Sequence, residues 1–238
     1  MQIKIAPSIL SADFSRMGEA VELCERSGAD LVHCDVMDGS FVGPITFGGQ
    51  MVKSLRPRTD LPLDVHLMIE HPKTQIKFFA EAGADIITVH YEACAKISES
   101  YLKETLELIK SYGVMCGAVV NPDVPVQNIF PVFGLCDMVL IMSVFPGYGG
   151  QKFIEGSLEK IRSAREYAKT IGKPELDIEV DGGINAKTAP LVIDAGANVP
   201  VAGSARFSAP DLAAPTTTPR APWAVACPYT VSPLAATT

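Results

Sequence analysis

Short apolar runs recur at regular intervals through the first 207 residues of this chain. The runs are nearly continuous and rich in branched side chains, which is typical of parallel strands that are covered on both faces. The pattern predicts eight strands, at about residues 2–6, 30–36, 62–67, 85–90, 114–120, 138–143, 176–181 and 198–203.

Amphipathic helical patterns separate most of these runs. In residues 16–27, for example, Met17, Val21 and Cys24 fall on one stripe of a helix. Similar stripes predict helices at about residues 73–82, 101–112, 158–171 and 187–195. Eight strands alternating with helices predict an α/β fold of the TIM-barrel type. A doubly wound open sheet is the alternative, although the first strand lacks the glycine fingerprint of that fold.

The composition changes near residue 208. From there to residue 238 the chain is rich in Pro, Thr and Ala, and six prolines exclude a regular helix of any length. We therefore expect a catalytic barrel domain over residues 1–207. We expect an irregular tail over residues 208–238, where the last barrel helix should lie.

Composition and charge exclude several classes of partner. Hydrophobic residues make up 47% of the chain, enough for a large core, and the net charge of −7 argues against nucleic-acid binding. No apolar stretch reaches the length of a membrane span, and no signal-peptide pattern is present. Six scattered cysteines without a CxxC motif suit a reducing compartment. We expect a cytoplasmic homo-oligomer.

Four residues that can bind metals end three of the apolar runs: His33 and Asp35, His66, and Asp181. Alternate side chains of a strand share a face, so His33 and Asp35 point the same way. A lone buried His is usually a core residue, and a lone Asp usually belongs to a turn. Four such residues together suit a divalent ion such as Zn, Fe, Mn or Co, and two carboxylates offer a proton-transfer pair.

Glycine-rich loops follow the last three predicted strands, at residues 142–153, 180–184 and 201–207. Glycine lets backbone N–H groups approach an anion closely, and TIM barrels bind phosphate in their late loops. Turns explain most glycine pairs, so the signal lies in three successive loops. Met37, Met68 and Met142 end strands on the same face, where they either fill the core or line a site for a reactive anion.

Six motifs together resemble the ribulose-phosphate 3-epimerase family over about residues 3–207. They are PSILSADF (7–14), HCDVMDGSFV (33–42), LDVHLMI (63–69), MSVFPGYGGQKFI (142–154), EVDGGI (179–184) and VAGSA (201–205). The resemblance implies a TIM barrel with one divalent metal ion and no organic cofactor. It also implies epimerisation of a ketopentose phosphate, from D-ribulose 5-phosphate to D-xylulose 5-phosphate.

The resemblance further implies roles for individual residues. His33, Asp35, His66 and Asp181 would hold the metal, with Asp35 and Asp181 also acting as the acid/base pair. The expected substrate-binding residues, which include the three methionines, are Ser8, His66, Met37, Met68, Met142, Gly147, Gly149, Gly150, Gly182, Gly183, Gly203 and Ser204.

The chain departs from the family pattern at two loops. Gly43 and Pro44 stand where the family usually has Pro and Asn, and Phe145 stands where it usually has Asn. Two alternatives therefore stay open: an epimerase of a ketohexose phosphate such as allulose 6-phosphate, and a non-catalytic barrel that binds phosphosugars. Decarboxylases and synthases of this fold would be expected to place a Lys at a strand end, and no predicted strand here ends in one.

Overall fold

Eight parallel strands form the centre of the molecule in the computed structural model, which describes residues 1–203. They pair in the order β1-β8-β7-β6-β5-β4-β3-β2. Their bounds are Ala6–Pro7 (β1), Val32–Met37 (β2), Leu63–Met68 (β3), Ile86–His90 (β4), Met115–Val120 (β5), Met138–Met142 (β6), Asp177–Asp181 (β7) and Val199–Ala202 (β8).

A bridge between Ser8 and His33 joins the two ends of this sheet and closes the barrel. The backbone N–H of Ser8 also donates to the carbonyl of Ala202, so residue 8 links β1 to both of its neighbours. The prediction of a TIM barrel is confirmed, and the alternative of an open, doubly wound sheet was wrong.

The first strand differs from its prediction, because only Ala6 and Pro7 pair as a strand rather than residues 2–6. The preceding residues are still held at the barrel wall. Lys4 donates its N–H to the Asn198 carbonyl, and the Ile5 carbonyl accepts two N–H groups from residues 30 and 31. These contacts do not follow a regular ladder, so the strand itself is short.

Helices follow most strands and cover the outside of the barrel. They are Met17–Arg26 (α1), Gly49–Leu55 (α2), Ile76–Glu81 (α3), Tyr91–Ala95 (α4), Tyr101–Ser111 (α5), Ser157–Thr170 (α6) and Ala189–Ala195 (α7). The sequence did not predict α2 and α4. Within residues 1–203, none of the helices combines the length and the apolar character needed to cross a lipid bilayer.

The interior of the barrel changes from apolar to polar along its axis. One end is filled by a cluster of buried apolar side chains: Ala6, Leu31, Ile86, Met138, Val199 and Val201. Further along the barrel axis, the polar residues His33, Thr88 and Glu179 are fully buried. Charged groups therefore accumulate toward the carboxyl ends of the strands, where TIM barrels carry their active sites.

Part of the sequence-based prediction lies outside the described residues. This holds for the domain boundary at residue 207, the expected tail over 208–238 and Ser204. The cysteines at positions 24, 34, 94, 116 and 136 are buried, as expected for small core residues.

Candidate active site

The four residues predicted to bind a metal come together from β2, β3 and β7. One ligand atom from each of His33, Asp35, His66 and Asp181 lies within 4.8 Å of every other. Both imidazoles are fully buried and Asp35 is almost so, whereas Asp181 stays partly accessible from the pocket above. Asp35 pairs with His66 in the β2–β3 register, which explains why these two groups meet.

Asp35 occupies the centre of this cluster. Its Oδ1 atom lies 3.3 Å from Nε2 of His33 and 3.2 Å from Nδ1 of His66. Its Oδ2 atom accepts a hydrogen bond of 2.5 Å from the hydroxyl of Ser8. One carboxylate oxygen therefore faces two imidazole nitrogens, while the other is fixed by Ser8, which directly follows β1.

The far side of the His33 ring rests on two more buried carboxyl groups. Nδ1 of His33 lies 2.6 Å from Oδ2 of Asp64 and 3.2 Å from Oε1 of Glu179. Between these acceptors Nδ1 carries its hydrogen, so in the neutral ring Nε2 is a lone pair. Among the described residues Nε2 makes no normal hydrogen bond. In the neutral ring an imidazole lone pair and a carboxylate oxygen thus face one another, which is favourable only with a proton or a metal ion between them.

The pKa values reflect these contacts. Burial opposes protonation of His33, but Asp35, Glu179 and Asp64 outweigh it and hold the His33 pKa well above its usual value. Burial would raise the pKa of Asp35, yet the charge of His33 and its hydrogen bonds lower it. Burial lowers the pKa of His66 to about 4.

Two carboxyl groups shift in the opposite direction. Although part of Asp181 is accessible, burial of its carboxyl group and the nearby charge of Asp35 raise its pKa to about 7. Burial and the charge of Asp64 raise the pKa of Glu179 well above its usual value. The two aspartates at the strand ends therefore sit in different electrostatic environments.

The donor set fits a divalent transition metal ion. Two neutral imidazole nitrogens and two carboxylate oxygens are ligands that Zn, Fe, Mn and Co accept. The Nε2 atom of His33, buried without a normal hydrogen bond and facing Asp35, favours a positive charge here, which a metal ion can supply in place of a proton.

A cavity of about 240 Å³ lies above the cluster. Most of the residues expected to bind substrate line it: Ser8, Met37, Met68, Met142, Gly147, Gly149, Gly150, Gly182, Gly183 and Gly203. Asp35 and Asp181 also reach its surface. His66 does not line it and lies beneath, between Asp35 and His90.

Two adjacent glycines after β7 could not be other residues without a rearrangement. Gly182 has a φ of +115° and Gly183 a φ of +66°, values that side chains disfavour. A Cβ atom on Gly182 would lie 2.8 Å from the backbone nitrogen of Val144, and one on Gly183 would lie 2.6 Å from that of Phe153. The loops after β6 and β7 thus pack backbone against backbone beside the cavity.

Four polar residues of this region were given no role by the analysis of the sequence. Asp64 and Glu179 lie below the four predicted residues, and His90 and Glu92 lie beside His66. A signal for the first two existed, because Asp64 precedes His66 by two positions and Glu179 precedes Asp181 by two. Residues at that spacing in a strand share a face.

The closed barrel with its polar cluster and glycine-rich loops defines a TIM-barrel enzyme. Residues 4–207 match the sequence profile of the ribulose-phosphate 3 epimerase family, and the chain belongs to this family of carbohydrate epimerases. The chain is 56% identical over 209 residues to ribulose-phosphate 3-epimerase of Bacillus subtilis (strain 168), covering 88% of this chain and 94% of that one.

A plant relative and two solved structures extend the comparison. The chloroplastic ribulose-5-phosphate-3-epimerase of Arabidopsis thaliana is 50% identical, covering 89% of this chain and 74% of that protein. A mutant tryptophan synthase alpha-subunit from Pyrococcus furiosus superposes with a TM-score of 0.63 at 14% identity, covering 87% and 91% of the two chains. A 3-hexulose-6-phosphate synthase superposes with a TM-score of 0.59 at 17% sequence identity, covering 89% of this chain and 95% of that one. These two structures support the fold alone.

Proposed function

We propose that this chain interconverts D-ribulose 5-phosphate and D-xylulose 5-phosphate, using one divalent metal ion held by His33, Asp35, His66 and Asp181. The relatives named above support the substrate. The observation that carries the mechanism is the pairing of Asp35 from β2 with Asp181 from β7, whose carboxyl oxygens approach within 4.8 Å at the floor of one cavity.

Epimerisation at C3 needs two proton-transfer groups. One group removes the proton next to the ketone, and a second returns a proton to the opposite face of the same carbon. Asp35 and Asp181 project from different strands into the same cavity, so substrate bound between them meets one carboxyl group on each face. When bound, the metal ion supplies positive charge that stabilises the anion left at the ketone after proton removal.

The surroundings of the two aspartates suit different protonation states. Asp35 accepts the hydroxyl hydrogen of Ser8 and faces two imidazoles, contacts that favour its ionised form. Asp181 stands at the end of β7 without a cationic side chain of Lys or Arg against it among the described residues. One carboxylate and one carboxylic acid are what a reaction with inversion requires.

The rest of the cavity binds the substrate and shields the reacting carbon. Met37, Met68 and Met142 present side chains that do not titrate and that exclude water from the anion. The glycine-rich loops after β6 and β7 expose backbone at the cavity wall, which suits a phosphate group. Binding the phosphate there orients C3 between the aspartates.

Turnover of ribulose 5-phosphate and allulose 6-phosphate, measured side by side in deuterated water, tests the proposal. We expect faster turnover of the pentulose and deuterium at C3 of the product. Asp35→Asn and Asp181→Asn should each slow turnover by about 10² or more, because each removes one proton-transfer group. The exposed Asp60→Asn serves as the control and should leave turnover unchanged.

Three results would contradict parts of this proposal. Faster turnover of allulose 6-phosphate than of ribulose 5-phosphate would contradict the proposed substrate and indicate a hexulose phosphate instead. Turnover of either Asn variant within threefold of the unaltered protein would contradict the two-aspartate mechanism. Full turnover after exhaustive chelation, with no metal detected by elemental analysis, would show that the reaction does not need a metal ion.

A further inference from the structure

A row of hydrogen-bonded groups runs away from His66 on the side opposite Asp35. Nε2 of His66 lies 2.8 Å from Nε2 of His90, and Nδ1 of His90 lies 3.1 Å from Oε2 of Glu92. The other oxygen of Glu92 accepts the backbone N–H of Asn121 at 2.7 Å. His66 and His90 are fully buried, and the side chain of Glu92 is only 15% exposed.

The direction of every hydrogen bond in this row follows from its last member. The backbone N–H of Asn121 can only donate, and an ionised Glu92 can only accept. Nδ1 of His90 must therefore donate to Glu92, which leaves Nε2 of a neutral His90 as an acceptor. Nε2 of His66 then donates to it, and Nδ1 of His66 presents a lone pair toward Asp35.

The orientation of the rings agrees with this assignment. The planes of His66 and His90 differ by 24°, and their centroids are 5.0 Å apart. Two nearly coplanar rings at this separation, with nitrogens 2.8 Å apart, meet edge to edge, so an N–H in one plane points at the lone pair of the other. Phe41 packs over His90 with centroids 4.7 Å apart and helps to hold the ring in place.

We propose that His90 and Glu92 are positioning residues that fix the tautomer of His66, so that its Nδ1 atom is free to bind the metal ion. This inference rests on the proposed function, since it requires the ion beside Asp35. Outer hydrogen-bond partners of metal-binding histidines typically change metal affinity by 10–100-fold. Neither residue was assigned a role by the sequence motifs, and neither lines the substrate cavity.

Glu92→Gln tests the direction of the row with almost no change of shape. The Gln oxygen must accept the Asn121 N–H, so its NH₂ group faces His90 and donates to Nδ1. Nε2 of His90 would then carry the hydrogen and donate to His66, and Nδ1 of His66 would carry a hydrogen where the metal should bind. We expect metal affinity to fall about 10–100-fold, measured by chelator competition with zinc on the metal-free protein.

Three controls separate positioning from loss of structure. Glu99→Gln makes the same change at an exposed site and should leave zinc affinity unchanged. The metal-free Glu92→Gln variant should unfold at nearly the temperature of the unaltered protein. The His90→Phe substitution breaks the row of hydrogen bonds. In that background Glu92→Gln should cause no further loss of zinc affinity, because no hydrogen bond then connects residue 92 to His66.

Nitrogen NMR of the zinc-loaded protein gives a second measurement. The chain has four histidines, so their ring nitrogens can be assigned. We expect His90 to be protonated at Nδ1 in the unaltered protein and at Nε2 in Glu92→Gln. Tight zinc binding that Glu92→Gln leaves unchanged would overturn the inference and leave the proposed function standing. Failure of the unaltered protein to bind zinc, manganese, cobalt or iron would overturn both.

Discussion

Nδ1 of His33 lies 2.6 Å from Oδ2 of Asp64, and this contact directs the opposite nitrogen of the same ring at Asp35, 3.3 Å away. His33 and Asp64 are register partners on β2 and β3, so the barrel itself brings them together. The candidate metal site thus rests on a buried layer of carboxyl groups one step lower in the barrel. Changes in that layer should reach the site without touching substrate.

Asp64→Asn should weaken metal binding about tenfold, because an amide can donate to Nδ1 of His33 and so favour a hydrogen on Nε2. Glu179 remains as an acceptor at 3.2 Å, which limits the effect. Zinc competition and turnover measure it. Thr88→Val is the matched control: its side chain is as fully buried as that of Asp64, and its hydroxyl has no partner among the described residues. If both variants lose affinity equally, the His33–Asp64 contact does not orient the ring.

Alternation of side chains explains why the four metal-site candidates could be found in the sequence. His33 and Asp35 stand two positions apart in an apolar run, so their common face follows from strand geometry alone. Contacts between strands do not follow from that rule, because they depend on register. The meeting of His66 with His90 needs the β3–β4 pairing, which no pattern within either strand specifies.

The glycine-rich loops also make contacts that the sequence pattern does not predict. Their position after the last three strands predicted a phosphate site, but not which glycines are constrained. Gly182 is constrained because Val144 of the preceding loop packs against it, and that contact exists only in the folded barrel. Helix α2 was missed because it begins at Gly49, a poor helix former, and α4 was missed because its five residues carry too little periodicity.

Removal of the metal ion should lower the thermal stability of the protein, because a ligand bound only by the folded state stabilises it. At a free metal concentration 100 times the dissociation constant, the loss amounts to about 2.7 kcal/mol. Calorimetry of chelated and metal-loaded protein measures the shift. His66→Ala should abolish most of this metal-dependent shift in stability. His71 is exposed, so His71→Ala should leave the shift unchanged. An equal metal-dependent shift in both variants would place the ion elsewhere.

Gly182→Ala should destabilise the protein by about 1–3 kcal/mol and raise the KM for phosphosugar. Its φ of +115° is strained for alanine, and the added Cβ would press on the backbone of Val144. Gly156→Ala is the control, because its φ is −59° and nothing lies within 4 Å of the added carbon. That substitution should be neutral or slightly stabilising. Urea unfolding and steady-state kinetics distinguish the two, and equal behaviour would show that the β7 loop tolerates a side chain.

Arg165→Lys should destabilise the barrel by about 2–4 kcal/mol while leaving kcat unchanged in the folded protein. The buried Arg165 guanidinium donates to the side-chain oxygen of Asn198 and to three backbone carbonyls, those of Gly196, Pro174 and Leu176. Asn198 in turn accepts the N–H of Ile178, so the guanidinium braces the amino ends of β7 and β8.

The site lies at the carboxyl ends of the same strands, so stability and catalysis should separate. A lysine has one ammonium group and cannot reach four acceptors arranged around a planar fork. Arg162→Lys on the same helix is the control, because that side chain is 55% exposed and should change stability by less than about 0.5 kcal/mol. Chemical unfolding of both variants gives the comparison. A stable Arg165→Lys variant with low kcat would show instead that this network acts on the active site through β7.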